Sequence, residues 1–212
     1  VSSCPNHQTL RVTPLSTRFH VAAFGLCGYE CNLCDMKKEE LEEIEEQITL
    51  YKQWREVLQF GHFYRGRQFC QGYNRKLYEW TCVSPDKKKA VGLLLQELAE
   101  PNQPFGQYFP KGLDPDKKYH FYNIEKKCSV KVFGDLVNMI APVHIRQGSL
   151  LHNVVDHFVK MPGEVEDYTC SGQVLMSGVK LKAAFAGTGY NEQTRMFKDF
   201  ESRLYFMESV EE

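Results

Sequence analysis

Cys27, Cys31 and Cys34 have the short spacing that can set thiolates around a zinc ion. A closed zinc site needs four ligands, usually as two separated pairs. Only one such cluster exists here, with Cys4 and Cys70 as the conceivable distant fourth ligands, so the three are read as small hydrophobes. A thioredoxin-like role for Cys31 and Cys34 would require them to open a helix, whereas Cys31 falls within a stretch that reads as a strand. His144, His152 and His157 share one region, yet no pair has the i, i+4 spacing of a helical zinc site, and they are read as structural or exposed. Gly187-Thr188-Gly189-Tyr190 lacks the Gly-Lys-Ser/Thr ending of a phosphate loop and reads as a tight turn. Tyr64, Tyr78, Trp80, Tyr108, Tyr119 and Tyr122 could make a stacking platform for a sugar, but aromatics alternating along strands are read first as core. No metal or cofactor is assigned.

The elements that carry these residues change character near residue 61. Thr13-Pro14 is a helix start, because threonine can cap free amides and proline at the first helical position has no amide to lose. That helix would cover residues 15–24 and end at Gly25. Residues 28–33 are short and partly apolar, which predicts a buried strand. Asp35 offers an N-cap. From Lys37 onward Leu41, Ile44, Ile48, Tyr51, Trp54 and Leu58 recur at steps of three and four, the stripe of a helix of about 22 residues. Its other face carries Glu39, Glu40, Glu42, Glu43, Glu45 and Glu46, a solvated face that the helix dipole favours.

Beyond Gly61 the hydrophobic period falls from about 3.6 to 2. Residues 77–84, 90–98, 118–123, 129–133, 173–181 and 203–207 read as strands, separated by turn chemistry such as Ser84-Pro85-Asp86-Lys87. The fold class is therefore α+β. Residues 1–60 form helix, strand, helix, and residues 61–212 form an antiparallel β-sandwich with a core of its own. One parallel strand with two helices cannot close a sheet, so the first part implies a larger α/β architecture.

Composition sets the outer limits. The 212 residues are 42% hydrophobic and 25% charged, as in ordinary globular proteins. Against 27 Asp and Glu stand 26 Lys and Arg, which provides no basic field for a nucleic acid or an acidic membrane. No apolar run approaches the roughly 20 residues that span a bilayer. Eight cysteines at irregular spacing favour reduced thiols and a cytoplasmic setting, although an even count leaves pairing open. Val1 stands where an initiator Met would, so the chain is expected to be a processed product or a piece of something longer.

Several runs agree in order with one family. They are Pro5-Asn6-His7-Gln8-Thr9 with Arg11, Thr13-Pro14-Leu15 and Thr17-Arg18, then Phe24-Gly25 and Gly28-Tyr29-Glu30. Ile48, Tyr51, Arg55, Phe60-Gly61 and Phe63-Tyr64-Arg65 follow, and after them Trp80, Val83-Ser84, Asp86-Lys87 and Gly112-Leu113-Asp114. The tail holds Gly187-Thr188-Gly189-Tyr190-Asn191, Asp199-Phe200 and Ser202-Arg203-Leu204-Tyr205. This pattern resembles glycoside hydrolase family 36, the bacterial and fungal α-galactosidases. The resemblance implies that residues 1–60 are the last two units of a (β/α)8 catalytic barrel and that residues 61–212 are the C-terminal β-domain.

The family hydrolyses terminal α-galactosyl residues of melibiose and raffinose-type oligosaccharides with retention, which uses two carboxyl groups about 5 to 5.5 Å apart. In the family these come from a Lys-Trp-Asp motif and a Ser-Asp-Asn or Ser-Asp-Asp motif, and neither occurs in this sequence. No catalytic residue is assigned, and this chain by itself is expected to be inactive and structural, with nucleophile and acid/base upstream of Val1. By the same resemblance Asn6, His7, Gln8 and Arg11 fall on the catalytic face of the barrel. They are the substrate-proximal candidates, either walling the sugar pocket or, the reading favoured here, tying a strand to its helix.

The partner so implied is an α-galactoside oligosaccharide, with no nucleic acid and no membrane. An autonomous carbohydrate-binding or oligomerisation module is the alternative, disfavoured because a free module would not carry two barrel helices. Phe19, Val21, Ala22, Phe24, Ile44, Ile48, Tyr51 and Trp54 need a cover, since leaving 400 Å2 open forgoes roughly 10 kcal/mol. Either the helices fold back on the sandwich or, the favoured expectation, the chain forms a homo-oligomer.

Overall fold

Pro14, with φ −51°, starts the first helix, α1 (Leu15–Ala23), from the N-cap position itself. Thr13 therefore stands one residue too early to cap, and its carbonyl instead accepts from Arg18 Nε at 3.2 Å. The long helix α2 (Lys38–Phe60) runs 23 residues, close to its predicted span. Glu40 rather than Asp35 secures its start, its carboxylate accepting from the Lys37 amide at 3.0 Å. Asp35 belongs to a single 3-10 turn, Leu33–Asp35, opened by the Asn32 side chain accepting from the Cys34 amide. These features come from a computed structural model that describes residues 1–66, 77–99, 106–131, 138, 144–161, 163–182 and 197–210.

The strands, in chain order, are β1 (His62–Arg65), β2 (Leu77–Val83), β3 (Lys89–Gln96), β4 (Gln107–Tyr108), β5 (Lys118–Tyr122), β6 (Cys128–Ser129), β7 (Lys160–Met161), β8 (Asp167–Ser171), β9 (Val179–Lys180) and β10 (Ser202–Ser209). Helix α3 (Leu150–Phe158) precedes β7, and α4 (Gly172–Met176) follows β8. Six strands make one antiparallel sheet in the order β1-β2-β3-β10-β5-β8, while β4 pairs with β9 and β6 with β7. The β2–β3 hairpin turns on Asp86, whose Oδ1 accepts from Ser84 Oγ at 2.6 Å and from the Lys88 amide at 3.0 Å.

Alternation along β3 and β10 divides the core in two. Val91, Leu93, Leu204 and Phe206 point one way, against Phe19 and Ala23 of α1 and Trp54 and Val57 of α2. Ala90, Leu94, Tyr205 and Met207 point the other way, against Tyr108, Leu175, Val179 and Leu181 from β4, α4 and the β9 region. Thus the sheet is covered on both faces, by helices on one and by the narrow β4–β9 ribbon with α4 on the other. Of the apolar residues that required a cover, Phe19, Trp54 and Ile44 are buried, whereas Ile48 is 38% and Val21 37% exposed. Intramolecular packing, the less favoured of the two expectations, therefore accounts for most of that stripe.

Some sequence expectations are corrected. Residues 173–181 are not one strand, because Ser171 Oγ accepts from the Val174 amide and starts α4 before Gly178, at φ 112°, turns the chain into β9. The predicted strand 28–33 shrinks to one parallel bridge, Ser2 to Glu30. Its neighbours show why: residues 28–33 are exposed or half-buried, and no further strand flanks the bridge among the described residues. The strand expected at 129–133 begins at Cys128 and ends at Ser129, and residues 132 and 133 lie outside the described ones. Strands β1 and β8 and helix α3 were not anticipated.

Candidate functional site

One isolated parallel bridge, Ser2 to Glu30, joins the segments on either side of α1 at the start of the chain. The Glu30 amide donates to the Val1 carbonyl at 2.9 Å, the Val1 ammonium reaches the Gly28 carbonyl, and Ser2 and Glu30 run parallel, with α1 as the crossover. The loop between Ser2 and α1 follows the first arm of that bridge. That loop contains all four candidates. Asn6 organises it: its Oδ1 accepts from the amides of Gln8 and Thr9, both at 3.0 Å, and from Thr9 Oγ1 at 3.1 Å. Its amide donates to the Arg11 carbonyl at 3.0 Å, and the Leu10 amide returns to the Asn6 carbonyl at 2.8 Å. His7 and Gln8 are exposed at the tip, and the Arg11 guanidinium lies over the Phe200 ring, 4.6 Å from its centre. Asn6 and Arg11 thus hold the loop, while the His7 and Gln8 side chains are exposed to solvent.

The thiol cluster does not converge. Cys27 and Cys31 are half-buried, Cys34 and Cys4 are exposed, and all are unpaired thiols. Burial pushes the Cys27 thiol above its ordinary pKa, against the pull of the Val1 ammonium. Among the described residues no group of three or more His, Cys, Asp or Glu could hold a metal ion. His152 is buried, its Nδ1 accepting from the Gly148 amide at 3.1 Å, while His144 and His157 are exposed and apart from it. Cys70 and Gly187-Thr188-Gly189-Tyr190 lie outside the described residues. The aromatic platform is core at two of its members: Tyr108 and Tyr119 are wholly buried, and Tyr108 stacks on Tyr205 at 5.2 Å.

A groove of about 710 Å3, lined by Glu39 and Glu43 of α2, Lys126, Lys160, His20 and Arg203, runs between the helices and the sheet. Arg203 is nearly fully buried and pairs with Glu164, also buried, and with Glu201 at 3.3 Å. Burial alone would lower the guanidinium's pKa, but these two carboxylates more than offset it and raise it. His20 Nδ1 lies 2.8 Å from Ser202 Oγ. Neither His20 nor Glu164 carries a local sequence signal, because each acquires its partner only from a distant strand or loop.

Two tandem similarities account for this architecture. Residues 1–61 match the family described as Melibiase, and residues 77–207 match the Glycosyl hydrolase family 36 C-terminal domain. The chain belongs to glycosyl hydrolase family 36. Alpha-galactosidase AgaA of Geobacillus stearothermophilus is 38% identical over 119 residues, which is 56% of this chain and 16% of the relative. Alpha-galactosidase 1 of Pediococcus pentosaceus is 35% identical over 136 residues, covering 63% of this chain and 17% of its own length. The solved alpha-galactosidase of Lactobacillus brevis superposes with a TM-score of 0.68 at 28% identity, covering 100% of this chain and 22% of that one. A variant of AgaA solved with raffinose gives 0.65 at 26% identity, covering 99% of this chain and 21% of that one. The family 36 chain thus spans less than a quarter of the relatives it matches, and its antiparallel sheet corresponds to their C-terminal region.

Proposed function

We propose that this chain is the C-terminal part of an α-galactosidase that hydrolyses terminal α-galactosyl residues of melibiose and raffinose-type oligosaccharides with retention. The observation that carries the reading is the tandem match, Melibiase over residues 1–61 followed by the family 36 C-terminal domain over residues 77–207. In this reading Val1-Ser2, α1, Glu30 and α2 are the last two units of the catalytic barrel, and the sheet packed on their helices is a buttress. The parallel Ser2–Glu30 bridge across α1 supports it.

Asn6, His7, Gln8 and Arg11 then line the rim of the sugar pocket, with Asn6 and Arg11 shaping the loop and His7 and Gln8 offering hydrogen bonds to substrate hydroxyls. Both carboxylates of the retaining mechanism come from segments outside this sequence, which holds neither motif that carries them. The solved complexes of AgaA variants with raffinose and stachyose support an α-galactoside oligosaccharide as the partner. The irregular spacing of the eight cysteines favours a cytoplasmic setting. Self-association remains part of the proposal, on a surface other than Phe19 and Trp54, and sedimentation equilibrium at tens of micromolar decides it.

The test compares this chain with the product of its complete reading frame, on raffinose and on an aryl α-galactoside. The complete product is expected to release galactose with retained configuration by NMR, and this chain alone to match a buffer blank. Turnover by the chain alone, or no galactose from the complete product, overturns the reading. Saturable heat on titrating the chain alone with galactose or raffinose would favour a binding module.

A further inference from the structure

The loop that carries the candidates is held from outside its own unit. Arg11 is the link. On one side its carbonyl closes the loop onto the Asn6 amide at 3.0 Å, and on the other its guanidinium lies 4.6 Å over the ring of Phe200. Phe200 belongs to the turn that enters β10, so this contact joins the two segments matched by different family descriptions. The turn is itself anchored to the end of β3: Gln96 Nε2 donates to the Phe197 carbonyl at 2.8 Å, and the Phe200 amide donates to the Glu97 carbonyl at 2.8 Å. Asp199 Oδ1 accepts from the Ala99 amide at 2.6 Å.

Leu10, next to Arg11, at φ 54° and Phe200 itself at φ 52° have the left-handed backbone that non-glycine residues adopt only when their surroundings impose it. Leu10 is also 75% exposed, so packing does not explain its conformation. The backbone bonds on either side of it do, Leu10 amide to Asn6 carbonyl and Asn6 amide to Arg11 carbonyl.

We propose that Phe200, a residue of the sheet domain, is a positioning residue for the Asn6 loop, fixing through Arg11 the rim that receives the galactoside. The inference rests on the preceding reading, that this loop walls the sugar pocket. It gives the C-terminal domain a part in substrate recognition beyond buttressing, because removing the ring frees Arg11 and loosens its carbonyl's hold on Asn6. The cation–π contact is exposed on the Arg11 side, so its effect is moderate.

Two measurements test it. In this chain, Phe200→Ala is expected to speed amide exchange at Asn6 and Leu10 about fivefold, while Phe200→Tyr leaves it unchanged. Amides of β3 serve as the control for global loosening. In the complete enzyme Phe200→Ala is expected to raise KM for raffinose about fivefold with kcat within about twofold, and Phe200→Tyr to restore KM. Unchanged exchange at Asn6 and Leu10 overturns the clamp whatever the enzyme does. Faster exchange with unchanged KM, or a fall in kcat alone, overturns its role in recognition. If the complete enzyme with Phe200 intact hydrolyses no α-galactoside, the activity reading fails and takes the recognition role with it, and the exchange data still decide whether Phe200 holds the loop.

Discussion

Ser202 Oγ lies 2.8 Å from His20 Nδ1 and donates to Thr17 Oγ1 at 3.0 Å, so the first residue of β10 is fastened to α1 by side chains. Burial, then Lys126, then Arg203 hold the His20 imidazole neutral, with a pKa lowered from 6.5 to about 3. The folded state therefore excludes a proton that the unfolded chain accepts below pH 6.5. Stability from this group is complete above that value and is lost as pH falls towards 3, by up to about 1.4 kcal/mol per pH unit. Denaturant unfolding of the native chain and of His20→Gln is expected to diverge in slope between pH 6 and pH 4, the native chain falling faster. Glu43 and Glu166, whose carboxyls burial raises, act in the opposite sense and are common to both proteins.

Trp54 is 2% exposed and its ring lies 4.9 Å from that of Phe206. Trp54→Ala is expected to cost about 3 to 5 kcal/mol, read as a lower denaturant midpoint, because it opens a cavity between helix and sheet. Ile48→Glu, on the same predicted stripe but 38% exposed, should change stability by no more than about 0.5 kcal/mol.

Removing residues 1–60 would bare Val91, Leu93, Leu204 and Phe206, the sheet side of the helix-facing core. A chain beginning at Gly61 is expected to bind a hydrophobic dye and to melt without a sharp transition. A cooperative melt with no dye binding would show that the sheet stands alone.

Gly92 sits at the centre of β3, where a side-chain carbon would run into the hydroxyl and ring of Tyr108. That hydroxyl is fixed, bonded to Thr81 Oγ1 at 2.8 Å and to the Trp80 carbonyl at 2.9 Å, so it cannot move aside freely. Gly92→Ala is expected to destabilise by about 1 to 3 kcal/mol in thermal or denaturant melts.

Where local pattern determines structure, the sequence could be read. Helix α2 and the strands β2, β3, β5 and β10 match their expected spans to within a few residues, since α2 has a long apolar stripe, β5 alternates, and β3 and β10 are short apolar runs buried on both faces. Helix α3 spans only nine residues, too short for its apolar Leu150, Leu151, Val154, Val155 and Phe158 to separate a helix from a strand by pattern alone. The strand at Glu30 was overextended because parallel pairing depends on neighbours that a local pattern does not contain. Of the candidate loop, the residues were legible but their roles were not. Only the fold shows Asn6 turning inward to its own backbone and Arg11 reaching a ring 189 positions away, at Phe200.

Strand β10 pairs with β3 on one side and β5 on the other, although it follows both in sequence. Without it, β1-β2-β3 and β5-β8 would be two separate half-sheets with unpaired edges where β10 now lies. β10 is therefore the keystone of the sheet, and its arrival, a search across the whole intervening chain, is expected to limit the rate of folding. A synthetic peptide with the sequence of residues 202–209, present during refolding, should compete for that slot and trap the two half-sheets apart from the native strand.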